Sequence, residues 1–217
     1  SGITAANKVY DGTATATVST AAVTDAALQA GGMVAGDNIT VASAGAFRNA
    51  GNTANDKNVG TGKTVALTNT IAGTDVGNYA ITEQLTTTAD ITAKVLTATV
   101  TASNKVYDGS TSATPTLTIT SGLVGTETLT TTSTASFANK NVGSGKQVTV
   151  DTLQLGDGSN GGLASNYSLA AGQTTTADIT PKALTISGIT AANKVYDSTA
   201  TATIDTTGVT NAVLQAG

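Results

Sequence analysis

Apolar and polar residues alternate along several short stretches of the chain, with threonine as the commonest polar partner. These stretches are residues 13–18, 63–67, 117–120 and 147–150. A period of two is typical of half-buried β-strands, and the branched Cβ of threonine favours extended backbone. Glycine-rich clusters such as 30–32 and 156–162 separate the strands as turns. The pattern predicts a mostly β protein, in which only residues 23–29 could form a helical turn or two.

The hexapeptide Asn-Lys-Val-Tyr-Asp-(Gly/Ser) occurs three times, at residues 7–12, 104–109 and 193–198. The copies start 97 and then 89 positions apart. Solenoid repeats run at roughly 20–50 residues and cannot bury a core alone, whereas a unit of about 90 residues can fold by itself. The chain is therefore predicted to be a tandem array of small domains arranged as an elongated rod.

Further motifs recur in a fixed order between the hexapeptides. KNVGxGK stands at 57–63 and 140–146, NY at 78–79 and 166–167, and TTTADIT at 86–92 and 174–180. A lysine and a short apolar run follow each ADIT. These landmarks predict three segments: a module A at 1–94 that lacks its first strand, a module B at 95–182, and the incomplete start of a further A-type module at 183–217.

A longer period of 186 positions relates residues 2–31 to residues 188–217, which share GITAANKVYD and close on the same LQAG. Each of these segments resembles the other more than it resembles the second module. We therefore expect modules to alternate as A-B-A in a longer parent chain.

Composition narrows the function classes. The chain has no cysteine and no histidine, which removes thiol nucleophiles, thiolate ligands, disulfides and the usual general base. Charged residues make up 11%, the net charge is −4, and no basic cluster suggests a nucleic-acid partner. No apolar run approaches the roughly 20 residues of a membrane span. The sequence predicts no enzyme, no cofactor, and no catalytic, cofactor-binding or metal-binding residue.

Two recurring motifs allow a chemical interpretation beside a structural one. Lys8, Tyr10 and Asp11 could form a ligand triad, but a turn between two strands explains the group better. Ser198 replaces the turn glycine in the third copy, so positive φ is not expected to be strictly needed there. Residues 57–63 resemble a phosphate loop only superficially, because the Walker pattern requires glycine where Lys57 stands.

Acidic turns allow a calcium hypothesis. Residues 157–160 (DGSN) offer oxygen ligands, and other carboxylates lie near turns at Asp37, Asp56 and Asp75. Calcium needs six to eight oxygens, usually with several carboxylates, and no stretch has the twelve-residue loop pattern. Ordinary turn chemistry is the better interpretation. A Lys–Asn isopeptide bond at Lys8 is conceivable, although no spacing singles it out.

The ordered motifs NKVYDG, KNVGxGK, NY and ADITPK resemble the YDG/MBG-type repeats of large bacterial surface adhesins and filamentous-haemagglutinin-like exoproteins. The resemblance covers nearly the whole chain. It implies exported, non-catalytic β modules with a small β-sandwich or β-grasp-like fold, acting as a stalk in an adhesin, an extracellular filament or a biofilm.

Two other function classes stay open beside the stalk. Glycan binding would act through the variable segments 23–35 and 156–165, because loops carry function on a rigid scaffold. Ice binding is suggested by Thr-x-Thr at 13–17 and 199–203, but such a rank recurs only once per module.

The segment 183–217 carries a prediction of its own. At roughly 35 residues it cannot bury enough apolar surface to offset chain entropy alone. We expect it to be ordered where its strands add to an exposed edge of another copy, head to tail.

Overall fold

Strands dominate the computed structural model, which describes residues 2–209. The mostly β class is therefore confirmed. In the first repeat the strands are Thr4–Ala5 (β1), Lys8–Val9 (β2), Thr15–Ala16 (β3), Val18–Ser19 (β4), Thr40–Phe47 (β5), Gly60–Ala72 (β6) and Thr86–Thr92 (β7). The helix Asp25–Ala30 (α1) overlaps the predicted helical stretch 23–29 and ends one residue beyond it, and Thr24 Oγ1 caps the helix by accepting from Ala27 N. Among the described residues no helix is both long and apolar enough to cross a membrane.

The second repeat has counterparts of these seven strands and two more. They are Lys94–Val95 (β8), Thr97–Ala102 (β9), Lys105–Val106 (β10), Ser112–Ala113 (β11), Pro115–Ser121 (β12), Leu129–Phe137 (β13), Gly143–Asp157 (β14), Tyr167–Ser168 (β15) and Thr174–Thr180 (β16). The two additional strands are β8 and β15. Short 3₁₀ turns, Val76–Asn78 and Ala164–Asn166, end at the asparagine of each NY motif. The third segment contributes Thr190–Ala191 (β17) and Ile204–Asp205 (β18).

The chain forms two compact units that differ from the sequence repeats. The first contains Ser1–Val100, Thr116–Thr134 and Val150–Gln173, and the second contains Thr101–Pro115, Ala135–Thr149 and Thr174–Gly217. Both units draw residues from β13 and β14. The repeat boundaries at 94 and 182 stay a prediction.

In the first unit a five-stranded sheet runs in the order β2-β7-β6-β5-β3. The edge strand β2 is parallel to β7, with Lys8 opposite Ile91, and the other pairs are antiparallel. The first and last motifs of the repeat, NKVYD and ADIT, are thus neighbours in space. Phe47, Val65 and Ile91 are buried in the core beneath them.

The same sheet order recurs around the second unit, as β10-β16-β14-β13-β11. Here Lys105 lies opposite Ile179 in the parallel pair. A smaller core contains Phe137, Val148 and Ile179. NKVYD therefore pairs with ADIT in both repeats.

The threonine-rich stretch at residues 13–18 is not one strand, as its alternation predicted. β3 pairs with β5, whereas β4 pairs with β1 in a separate two-stranded sheet. Thr17 marks the point where the chain passes from one sheet to the other. In the second repeat β11 and β12 divide in the same way, with Pro115 at the start of β12. The predicted strand 117–120 lies inside β12.

The start of the third repeat forms a thin hairpin. β17 and β18 pair antiparallel, and Ala192 N donates to Thr203 O at 3.0 Å. Every residue from 181 to 208 is exposed. The repeated LQAG at 214–217 and the first residue, Ser1, lie outside the described residues.

Candidate functional site

The charged side chains of the NKVYD motif hold the motif's own turn together. Lys8 Nζ donates to Asp11 Oδ1 at 2.7 Å and to the carbonyl oxygens of Thr13 and Thr15, at 2.8 and 3.1 Å. Its ammonium also lies 5.6 Å from the centre of the Phe47 ring. The other copies repeat the ion pair, as Lys105–Asp108 at 2.9 Å and Lys194–Asp197 at 2.7 Å. These contacts support the turn and not a ligand triad.

The turn residue keeps a left-handed backbone in all three copies. Its φ is 79° at Gly12, 81° at Gly109 and 62° at Ser198. The expectation that the serine copy does not need positive φ is therefore wrong. Lys194 still donates to Asp197 and to the Thr199 carbonyl, at 2.7 and 2.8 Å, so the side-chain contacts of this turn are kept around the strained residue.

The glycine loop of KNVGxGK is occupied by a carboxylate of the same repeat. Gly62 N donates to Asp90 Oδ1 at 2.7 Å, and Gly145 N donates to Asp178 Oδ1 at 2.7 Å. The aspartate of ADIT is in turn held by the asparagine of NKVYD, since Asp90 N donates to Asn7 Oδ1 at 2.8 Å. Three recurring motifs thus meet at one corner of each repeat. A phosphate loop would need those backbone N–H groups free.

The carboxylates considered for calcium are each paired with a different internal donor. Asp56 pairs with Lys63, Asp37 accepts from the Tyr79 hydroxyl, Asp75 accepts from Asn38 N, and Asp157 accepts from Ala164 N. No group of three or more metal-ligating side chains occurs among residues 2–209. These aspartates act in turns and not as a common ligand set.

A buried carboxylate, Glu127, connects the two repeats within the first compact unit. Its Oε1 accepts from the Tyr10 hydroxyl at 2.7 Å and from Lys57 Nζ at 2.9 Å. Its Oε2 accepts from the Tyr167 hydroxyl at 2.6 Å. Tyr10 and Lys57 belong to the first repeat, whereas Glu127 and Tyr167 belong to the second. We call these four side chains the junction network.

The junction network shifts the acidity of its members. Burial works against the Glu127 carboxylate, but hydrogen bonds from Tyr167, Tyr10 and Lys57 outweigh it and lower the pKa of Glu127. Burial and the hydrogen bond to Glu127 raise the pKa of Tyr167 to about 12. The hydrogen bond to Glu127 also raises the pKa of Lys57. At neutral pH the network therefore holds a carboxylate, an ammonium and two neutral phenols.

Packing and amide contacts surround this network. The Tyr10 and Tyr167 rings meet edge to face, with their centres 5.4 Å apart. The fully buried Asn166 accepts from Val59 N at 2.9 Å and donates to Asn58 Oδ1 at 2.9 Å. The KNV segment of the first repeat is thus held by the NY motif of the second.

The covalent connection between the repeats is also packed in place. β8 adds as a parallel strand to β15, with Lys94 opposite Tyr167, and Leu96 N donates to Ser168 O at 2.8 Å. Leu96 is only 3% exposed and belongs to the same buried cluster as Tyr10 and Tyr167. The chain between the repeats is therefore a strand with a buried anchor and not a free linker.

The acid–tyrosine pair of this contact occurs once in each of the two repeats. In the first repeat Tyr79 donates to Asp37 Oδ2 at 2.6 Å and accepts from Val34 N at 2.8 Å. Tyr167 has the same relation to Glu127 and to Val124 N. Asp37 and Tyr79 are half-buried and Val34 is exposed.

The exposed fraction of the NKVYD tyrosine side chain differs between the three copies. Tyr10, in the junction network, is 1% exposed. Tyr107 of the second repeat is half-buried, and Tyr196 of the third segment is 89% exposed. The surrounding sequence is nearly the same in the first two copies, and Tyr10 contacts Glu127 and the Tyr167 ring of the second repeat, so the packing of that repeat accounts for the fuller burial of Tyr10.

The hexapeptide turn occurs three times, and its pairing with ADIT in the two complete repeats defines a repeated domain. The YDG domain pattern matches residues 1–89, 92–177 and 180–216. The chain belongs to the YDG domain family. No curated protein and no solved structure matches the chain.

Sequence reasoning missed Glu127, the central residue of the contact between these YDG domains. It stands in the variable middle of the second domain and outside every short motif. A weak signal exists, because Val34-x-x-Asp37 and Val124-x-x-Glu127 place an acidic residue three positions after valine in both domains. The variable loop 156–165 lies beside the network, since a Cβ on Gly161 would be 3.9 Å from Glu127 Oε1.

The turn glycines of the two complete YDG domains provide a matched pair for mutation. Both have positive φ, so alanine is strained at either position, by about 1 kcal/mol. A Cβ on Gly12 would also lie 2.8 Å from Val124 Cγ1, whereas Gly109 has no atom within 4 Å. In urea unfolding we expect Gly12→Ala to lose about 1–2 kcal/mol more than Gly109→Ala. Equal losses would show that Val124 does not press on this turn.

Proposed function

We propose that the chain is a non-catalytic structural spacer, a segment of the stalk of a long bacterial surface adhesin or extracellular filament. A spacer needs domains that repeat without individual chemistry and that keep a fixed relation to their neighbours. The recurrence of YDG domains supports the first requirement. The use of the motif lysines and aspartates in internal turns supports it as well.

The observation that carries the proposal is the contact between the first two repeats. A flexible linker would let domains reorient, and the length of the array would grow only with about the square root of the number of domains. Here the linking strand β8 pairs with β15, Leu96 is buried, and Glu127 joins side chains of both repeats. A contact of this kind favours an array whose length grows in proportion to copy number.

Small-angle X-ray scattering tests the proposal on chains with one, two and three copies of the 186-residue period. We expect the maximum dimension to rise by equal increments. Glu127→Ala in every copy should reduce the increment because the contact is loosened. A dimension that levels off with copy number would refute the spacer function. Glycan binding that is lost on replacing residues 23–35 or 156–165 would instead favour the alternative of a ligand-binding adhesive module.

A further inference from the structure

The first repeat contains a hairpin that the second repeat lacks. Residues 48–56 stand between the phenylalanine of β5 and the KNVGxGK motif, whereas only residues 138–139 stand at this place in the second repeat. Inside the hairpin Asn49 N donates to Ala54 O at 2.9 Å, and Asn49 Oδ1 accepts from Thr53 N at 2.8 Å. Because the second repeat forms the same five-stranded sheet without this hairpin, the fold does not need it.

The hairpin begins at Arg48, the one arginine of the chain. Five lysines are paired with carboxylates, but Arg48 makes no ion pair and no side-chain hydrogen bond with any of residues 2–209. Its Nε is shielded from solvent, and it is the one buried side-chain polar atom in this range without a hydrogen-bond partner. The charge is thus partly removed from water and has no counter-ion, which makes a bound anion worth more here than on an open surface.

Two further polar side chains without hydrogen-bond partners lie beside Arg48. Arg48 is opposite Asn55 within the hairpin and opposite Thr64 on β6, to whose carbonyl oxygen its N–H donates at 2.9 Å. Residues directly opposite in antiparallel strands present their side chains on the same face of the sheet. Within the described part of the chain the Asn55 amide and the Thr64 hydroxyl have no partner. We call Arg48, Asn55 and Thr64 the arginine row.

The surface beside the arginine row is flat. The next row across the same face of the sheet has only small side chains, which are Thr15, Ala46, Ala66 and Thr86. The strand of Arg48 is bordered by β6 on one side and by the returning half of the hairpin on the other. An added peptide strand therefore finds no free main-chain edge at Arg48, and its side chains find no apolar pocket.

The chemistry of the row favours a sugar that carries a carboxylate. The planar guanidinium matches a carboxylate with two parallel hydrogen bonds. The amide of Asn55 and the hydroxyl of Thr64 are suited to the hydroxyl groups of a sugar ring, because each can both donate and accept. A single cation on a chain of net charge −4 does not suit a densely charged polyphosphate such as a nucleic acid.

We propose that the arginine row binds a uronic acid unit of an acidic polysaccharide. The two Nη nitrogens of Arg48 donate to the carboxylate, and Asn55 and Thr64 bond to ring hydroxyls. A spacer does not need such a site, so the proposal goes beyond the proposed function. The row also lies outside residues 23–35 and 156–165, so replacing those loops should leave this binding unchanged.

Nuclear magnetic resonance on the isotope-labelled intact chain tests the proposal, with trigalacturonate as the probe. We expect the Arg48 Nε–H and the Asn55 side-chain amide signals to shift and saturate at millimolar concentrations of the probe. The shielded Nε–H exchanges slowly with water and is therefore a direct reporter. Maltotriose, a neutral trisaccharide, should shift neither signal, and triglutamate should bind at least about tenfold more weakly. Equal binding of either control probe overturns the proposal, as does the absence of any shift with trigalacturonate.

Three variants give a second readout. Arg48→Lys keeps the charge but loses the fork, and should weaken binding at least about tenfold. Lys140→Gln is the matched control, because it removes one exposed positive charge from the second repeat and should leave binding unchanged. Replacing residues 48–56 with Ala-Asn, the sequence at 138–139, should abolish binding in a chain that still unfolds cooperatively in urea. Wild-type affinity in Arg48→Lys, or equal weakening by Lys140→Gln, overturns the proposal. The scattering of longer arrays tests the spacer function separately.

Discussion

Glu127→Ala is expected to destabilise the first compact unit by about 3 kcal/mol in urea unfolding. The change leaves the Tyr10 and Tyr167 hydroxyls without their acceptor and Lys57 without its counter-ion. Leaving one buried polar group unsatisfied costs about 1–3 kcal/mol, and breaking a buried ion pair about 3–5. Lys57 is partly exposed, so solvent screening limits the loss of the ion pair to about 1 kcal/mol. With about 1 kcal/mol for each of the two hydroxyls, the total is about 3 kcal/mol.

Asp37→Ala is the matched control, because Asp37 has the same relation to Tyr79 that Glu127 has to Tyr167. Nothing from another repeat covers Asp37 among the described residues, and its loss should cost below about 1 kcal/mol. A loss as large as that of Glu127→Ala would mean that the acid–tyrosine pair stabilises each repeat by itself and not the contact between repeats.

The effect of Glu127→Ala should depend on pH in a direction set by the lowered pKa of Glu127. A carboxyl group whose pKa is lowered by folding stabilises the protein above its unfolded value of 4.5, and that contribution is lost as the pH falls through the folded value. The gap between the wild type and the variant should therefore be full at pH 6–7 and shrink below about pH 4. A gap that stays constant down to pH 3 would contradict the ionised carboxylate.

The alternation of apolar and polar residues predicts several elements correctly. Residues 63–67 and 117–120 lie inside β6 and β12, and α1 begins two residues into its predicted stretch. Local patterns succeed here because burial on one face of a strand leaves a period of two. The sequence also predicts the NKVYD turn. It did not predict that Ser198 adopts the left-handed backbone of the turn glycines, beside the Lys194–Asp197 contact.

Contacts between distant parts of the chain could not be predicted from those patterns. The pairing of β2 with β7 joins residues 83 positions apart, and Gly62 N meets a carboxylate from the strand that completes the repeat. The division of residues 13–18 at Thr17 depends on the pairing of β3 with β5 and of β4 with β1. Glu127 belongs to no recurring motif, and its partners come from two repeats. Such contacts are decided by the packing of whole strands, which leaves little trace in a single sequence.

Alanine substitution of the three hexapeptide tyrosines should give three different losses of stability, although the motif around each tyrosine is nearly the same. Tyr10→Ala removes a fully buried ring and a hydrogen bond to Glu127, and should cost about 4 kcal/mol. Tyr107→Ala removes a half-buried ring and should cost about half as much. Tyr196→Ala should change stability by less than about 0.5 kcal/mol, because the side chain is exposed.

Urea unfolding followed by circular dichroism measures this series, and Tyr10→Phe separates the hydroxyl from the ring. Phenylalanine keeps the edge-to-face contact with Tyr167 and loses only the bond to Glu127, so it should cost about 1–2 kcal/mol. Equal losses at Tyr10, Tyr107 and Tyr196 would show that the tyrosine acts inside its own turn. A larger loss at Tyr10 than at Tyr107 would show that this position stabilises the array further when the next repeat packs on it, and that stability is therefore shared between neighbouring repeats.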